Sequence, residues 1–113
     1  MSRRRVVVTG LGIVCPVGNT VAETWSSVLA GRSGIGPITK FDAAAFACRF
    51  AGEVKGFDVE QYIPGKEARH MDAFIHFGLA AAFQAVRDAG LRTNAELSEA
   101  EAERIGCLIG SGI

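Results

Sequence analysis

The 113-residue chain has no excess of charge of either sign, because 12 Lys and Arg face 12 Asp and Glu. With no global field to hold a phosphate backbone or an anionic bilayer, nucleic acid and membrane surfaces are excluded as general partners. Long hydrophobic runs are missing too, and nothing approaches the ~20 apolar residues of a membrane span. Cysteine is scarce: Cys15, Cys48 and Cys107 are an odd number at wide spacing with no C-x-x-C. That pattern supports neither a disulfide framework nor a zinc knuckle and predicts reduced thiols in the cytoplasm. The two histidines, His70 and His76, lie six apart, about 240° out of phase on a helix, so they cannot chelate one metal as an i, i+4 pair would. No metal or cofactor is expected.

Glycine, by contrast, is abundant, with 14 residues, or about 12% against an average near 7%. Arg3, Arg4 and Arg5 precede Val6, Val7 and Val8 in the manner of a twin-arginine export signal. Gly10, Gly12, Pro16 and Gly18 interrupt the apolar stretch, however, and no small-x-small cleavage site follows. The three valines then predict a short strand buried on both faces, the first of a parallel sheet. Thr20 and Glu23 have capping-box spacing, and Val21, Trp25, Val28 and Leu29 recur at helical intervals up to Gly31, which predicts a helix over 21–30. Residues 32–57 read as irregular, with turns at Gly34, Gly36 and Pro37 and a weak edge strand over 49–54.

A second helix is marked by the stripe Met71, Phe74, Ile75, Leu79, Ala82, Phe83 and Val86, and Gly90 stops it. Its alanines, Ala80 to Ala82, allow close packing against a neighbour. Ser98 and Glu101 form another capping box, and 105–109 reads as a second buried strand. No repeat, low-complexity tract or linker divides residues 1–113, which predicts one α/β unit without an internal boundary. Two parallel strands need further strands to cover their faces and edges. The pattern therefore predicts the opening segment of a larger α/β protein; if its elements closed on one another, a chain of this size would bury about 65% of its unfolded surface.

Chemical motifs are fragmentary. The third glycine of G-x-G-x-x-G falls on Cys15, and a P-loop fails because Asn19 and Thr20 stand where Lys and Ser or Thr belong. Gly10, Gly12 and Gly18 instead suit a backbone that runs close beneath neighbouring structure. Ser111 sits in Gly-Ser-Gly, but Ile109 and Ile113 occupy the outer positions of a nucleophile elbow. Cys107 lies among apolar strand residues, where burial makes a thiol inert, and His76 reads as structural. Lys66, Arg69 and His70 are more informative. At i, i+3 and i+4 they share one face near the start of the second helix, the end at which the macrodipole disfavours cations. They read either as a solvated face balanced by Glu67 and Asp72 or as a site for an acidic or phosphorylated partner.

Taken in order, these segments resemble a known family. Arg-Arg-Val-Val-Val-Thr-Gly-Leu-Gly-Ile, Pro16 to Thr20, Thr24-Trp25, Gly31-Arg-Ser-Gly-Ile35, Phe50-Ala-Gly52, Lys66-Glu, Arg69, Met71-Asp-Ala-Phe-Ile75, Asp88-Ala-Gly-Leu91, Arg104-Ile-Gly106 and Ile109-Gly-Ser-Gly-Ile113 are similar to the start of a β-ketoacyl-acyl-carrier-protein synthase. Gly110 to Ile113 and Phe50 to Val54 resemble its type II branch.

The resemblance implies a thiolase-like fold of two similar α/β halves in a homodimer, with this chain as roughly the first quarter. It implies decarboxylative condensation of malonyl-carrier protein with an enzyme-bound acyl chain. The partner would be acyl carrier protein bearing phosphopantetheine-linked acyl and malonyl groups. The family's nucleophilic cysteine, two histidines and supporting lysine would lie beyond residue 113, so no catalytic role passes to Cys15, Cys48, Cys107, His70 or His76. Lys66 and Arg69 match basic positions that dock the carrier protein, with His70 beside them; Ile113 matches an apolar side chain that borders the acyl pocket. Gly65 and His70 replace further basic residues, which lowers the docking charge and lets His70 make docking weakly pH-dependent. Two other functions fit parts of the pattern, a non-catalytic chain-length subunit of a polyketide system and an unrelated nucleotide-binding domain.

Overall fold

A computed structural model describes residues 3–93 and 96–112. The first helix, α1, spans Val21–Leu29, close to the predicted 21–30. The Thr20 hydroxyl accepts the Glu23 amide at 3.2 Å, while the Glu23 carboxylate reaches back to the Asn19 amide at 2.9 Å, one residue earlier than an ideal capping box. The helix ends in a Schellman motif. Gly31, at φ 64°, donates to Val28 O, and Arg32 donates to Ser27 O. Only a residue without Cβ takes that backbone conformation freely. Helix α3, Ala73–Asp88, ends in the same way, with Gly90 at φ 64° donating to Arg87 O and Leu91 to Val86 O.

Between these helices lies an antiparallel pair, β1 (Ile35–Pro37) and β2 (Phe50–Gly52), with Gly36 opposite Ala51. The weak edge strand over 49–54 is thus present as β2. The expected turn at Gly34, Gly36 and Pro37 is instead the approach to β1 and β1 itself. Packing overrides propensity here: a Cβ on Gly34 would lie 2.6 Å from Pro16 Cβ, so glycine admits the Pro16 turn against the pair.

The two buried strands predicted at 6–8 and 105–109 do not form. Val6 is 94% and Leu108 100% exposed, and β1 with β2 makes the only sheet among the described residues, so no parallel sheet is present there. A run of apolar, β-branched residues states which surroundings a strand tolerates. The ladder needs a neighbouring strand, and the described residues supply none.

The glycine loop lies along α3 instead. Leu11 N donates to Asp88 Oδ2 at 2.9 Å and Ile13 N to Gln84 Oε1 at 3.2 Å, while Gly10 and Gly12 press onto the backbone at Ala85 and Ala81. The packed face of α3 is therefore the one bearing Ala81, Gln84, Ala85 and Asp88. The bulky stripe is unevenly covered: Phe74 and Phe83 are 42% and 51% exposed, while Leu79, Ala82 and Val86 are half-buried. Asp88 is at the end of α3 where the macrodipole disfavours an anion, and its charge-assisted bond to Leu11 accounts for its presence.

Two further short α-helices lie among the described residues. Helix α2 is Gly65–Ala68, and α4, Glu99–Ala102, begins with the predicted capping box between Ser98 and Glu101. Among the described residues Ala43, Ile63, Ala68 and Ala80 are the buried apolar side chains, with Ser27 the buried polar one. The core is small for the chain: the accessible surface is 9434 Å² and the radius of gyration 17.7 Å, where a compact chain of this mass presents roughly 6,000 Å² and about 13 Å. The elements do not close on one another.

Candidate functional site

The surface that carries Lys66, Arg69 and His70 is built on a short, well-anchored platform. Asp58 caps a 3₁₀ turn over Val59–Gln61 by accepting the Glu60 amide at 3.0 Å. Tyr62 then stacks between Phe57 and Phe83, at centroid distances of 6.1 and 6.5 Å, and its hydroxyl accepts from Gln84 Nε2 at 3.1 Å. Ile63 and Ala68 point inward, 4% and 5% exposed. Pro64 O starts α2 by accepting the amides of Glu67 and Ala68, and Gly65 leaves room for the Glu60 carboxylate.

His76 closes the platform from the α3 side. Its Nε2 lies 2.9 Å from Ala68 O, and since a carbonyl only accepts, the ring carries its proton on Nε2. The structural role expected for His76 is what the geometry gives it.

Lys66, Arg69 and His70 all face solvent. Among the described residues the ion pair is Arg92 with Glu101, so neither Glu67 nor Asp72 forms a direct ion pair with the cluster. One expectation is corrected here. The cations are not at the start of the second long helix, because Asp72 is extended at ψ 161° and separates α2 from α3. Helix α2 is a single turn with Lys66 as its second residue, and Arg69 is its C-cap, where positive charge is favoured.

The other candidates are dispersed. Ile113 lies outside the described residues. Ser111 and Gly110 line a cleft of about 210 Å³ against Phe74, Ile75, Gly78 and Leu79. Cys107 is exposed, contrary to the buried strand position expected of it, and Cys48 is exposed as well. Cys15 is half-buried with its Sγ 3.4 Å from Thr24 Oγ1. Burial pushes that thiol up, but hydrogen bonds from Thr24 and from the backbone of Val17 and Gly18 together hold it below its ordinary value. No histidine hydrogen-bonds to a cysteine among the described residues, and no group of three metal-ligating side chains occurs among them. Nor is any described helix long and apolar enough to cross a membrane.

Sequence reasoning missed Gln84, which accepts from Ile13 N and donates both to Asn19 O at 2.7 Å and to the Tyr62 hydroxyl. A lone amide between Phe83 and Val86 was the available signal. It joins the glycine loop to the platform beneath the basic cluster.

Residues 3–113 match the family described as beta-ketoacyl synthase, N-terminal domain. The chain belongs to this family. Among β-ketoacyl synthases it is 58% identical over all 113 residues to 3-oxoacyl-[acyl-carrier-protein] synthase 2 of Vibrio cholerae and 52% identical to the protein of that name from Synechocystis. It spans 26% of the length of each. Among solved structures it is similar to the ishigamide ketosynthase/chain length factor, with a TM-score of 0.70 and 39% identity over 80% of this chain and 23% of that one. The described residues thus share the ketosynthase fold.

Proposed function

We propose that the chain supplies the N-terminal part of an elongating β-ketoacyl-acyl-carrier-protein synthase of the type II branch, in a thiolase-like, homodimeric, cytoplasmic enzyme. The observation that carries this reading is the 58% identity to the Vibrio cholerae synthase across the whole chain. In the reaction, loss of CO₂ from a malonyl thioester leaves a carbon nucleophile that attacks an acyl thioester held on an enzyme cysteine; the new C–C bond forms as the thiolate departs. Developing negative charge on the thioester oxygens needs hydrogen-bond donors. None of the cysteines and histidines in the described residues is arranged for these tasks, and in this reading the nucleophile and its histidines follow residue 113.

The part played by this segment is recognition. Lys66 and Arg69, with His70 beside them, present exposed positive charge without a direct ion pair on a platform fixed by Ala68, His76 and Tyr62, which suits the acidic surface of acyl carrier protein and its phosphopantetheine-linked substrates. Ile113 is proposed to border the acyl pocket. The likeness to a ketosynthase/chain length factor, at 39% identity, is lower than that to the synthases and leaves the chain-length subunit as the second reading.

Incubation of the intact purified protein with acyl- and malonyl-carrier protein tests the choice. A mass increase for the acyl-enzyme and one CO₂ released per 3-oxoacyl product are expected. Absence of both acyl-enzyme and product would favour the chain-length subunit.

A further inference from the structure

Lys55 follows β2, and although the residue is exposed its ammonium is held by three main-chain oxygens. Nζ lies 3.0 Å from Glu53 O, 3.1 Å from Gly34 O and 3.3 Å from Pro16 O. An ammonium has three N–H donors and no acceptor, so every donor is used. The three acceptors come from separate segments: the turn closed by Cys15 and Gly18, the approach to β1, and the residue after β2. The carbonyl of Lys55 itself accepts from Asn19 Nδ2 at 2.8 Å, which adds the loop that caps α1.

No carboxylate takes part, because the Glu53 side chain is turned away to Thr39 and Lys40. Convergent neutral carbonyl oxygens are a donor set for a monovalent cation, since they replace a hydration shell without the anionic ligands that divalent cations favour. We propose that Pro16 O, Gly34 O and Glu53 O form a monovalent-cation site, and that Lys55 fills it with its own tethered ammonium. The tethered cation holds the Pro16 turn, β1 and β2 together. Arginine cannot substitute, because its planar fork does not direct three donors at converging acceptors. Free potassium or ammonium can, once the side chain is removed.

The test measures melting of the intact purified protein in chloride salts at equal ionic strength, so it is independent of condensing activity. Wild type should melt at one temperature in choline, potassium and ammonium chloride. Lys55→Ala should melt ~2–4 °C lower in choline chloride and recover most of that loss, saturably, in potassium or ammonium chloride. Lys55→Arg should stay low in all three. A Lys55→Ala protein that melts as wild type in choline chloride, or whose loss is the same in every salt, would overturn the proposal. A second measurement needs no variant: ammonium protons of Lys55, all hydrogen-bonded, should exchange with water more slowly than those of Lys66, which is likewise exposed, and equal rates would refute the proposal.

Discussion

The ring of His76 donates to the carbonyl of Ala68 across 2.9 Å, and that bond ties α3 to the last residue of α2. Ala68 lies between Lys66 and Arg69, so the orientation of both cations depends on it. His76→Phe keeps the ring volume and deletes the donor. The expected outcome is a loss of about 0.5–1.5 kcal/mol in denaturant unfolding, with weaker carrier-protein binding and unchanged use of small acyl thioesters. Unfolding and binding both equal to wild type would show that Ala68 holds its place by packing.

Reversal of Lys66 and Arg69 to Glu separates docking from folding. Replacing exposed attraction by repulsion should lower affinity for the carrier protein roughly ten- to a hundredfold, mostly in association rate and less so at high salt. Because Arg69 is the C-cap of α2 and the helix is a single turn, the acidic pair gains little from a helix dipole. Melting and turnover of small acyl thioesters should persist. Equal use of carrier-bound substrate by the variant and wild type would leave the cluster as a solvated face.

Gly12→Ala examines how the glycine loop seats on α3. The added Cβ would meet Ala81 O and lie 2.8 Å from Ala85 N. Overpacking against backbone that cannot withdraw should cost about 1–3 kcal/mol, read as a lower denaturant midpoint with the slope unchanged. A neutral result would mean that the loop lifts away freely.

The Glu53 carboxylate accepts from the Thr39 hydroxyl at 2.8 Å and from the amides of Thr39 and Lys40, with the hydroxyl bond the largest influence; together they hold its pKa below the ordinary 4.5. A depressed carboxylate contributes fully above its unfolded pKa and loses that contribution as pH falls through the folded value. The Thr39 and Lys40 amide resonances should therefore hold steady above pH 4.5 and shift together below it. In Glu53→Gln this joint transition should vanish, and its persistence would assign it to another group.

Expressed alone, the 113 residues should unfold without a cooperative calorimetric transition and show no malonyl-dependent condensation. The reason is the 9434 Å² of accessible surface and the exposed valines, isoleucines and leucine of the expected strands. A sharp two-state endotherm from the monomer would contradict this.

What the sequence determined by itself is local. Thr20 with Glu23, Ser98 with Glu101, and the glycines at 31 and 90 fixed where helices begin and end, because caps and Schellman turns close within about five residues. The basic cluster was legible for the same reason, since its members are neighbours in the chain. Tertiary structure decided the rest. Leu11 meets Asp88 across 77 positions and Ile13 meets Gln84 across 71, and these bonds seat the glycine loop on the alanine face of α3. Pairing with Phe50–Gly52 makes a strand of Ile35–Pro37, and the fold brings three distant carbonyls onto Lys55. Residues 6–8 and 105–109 have strand-like composition, but composition supplies no hydrogen-bond partner. A strand exists only where a second backbone completes its ladder.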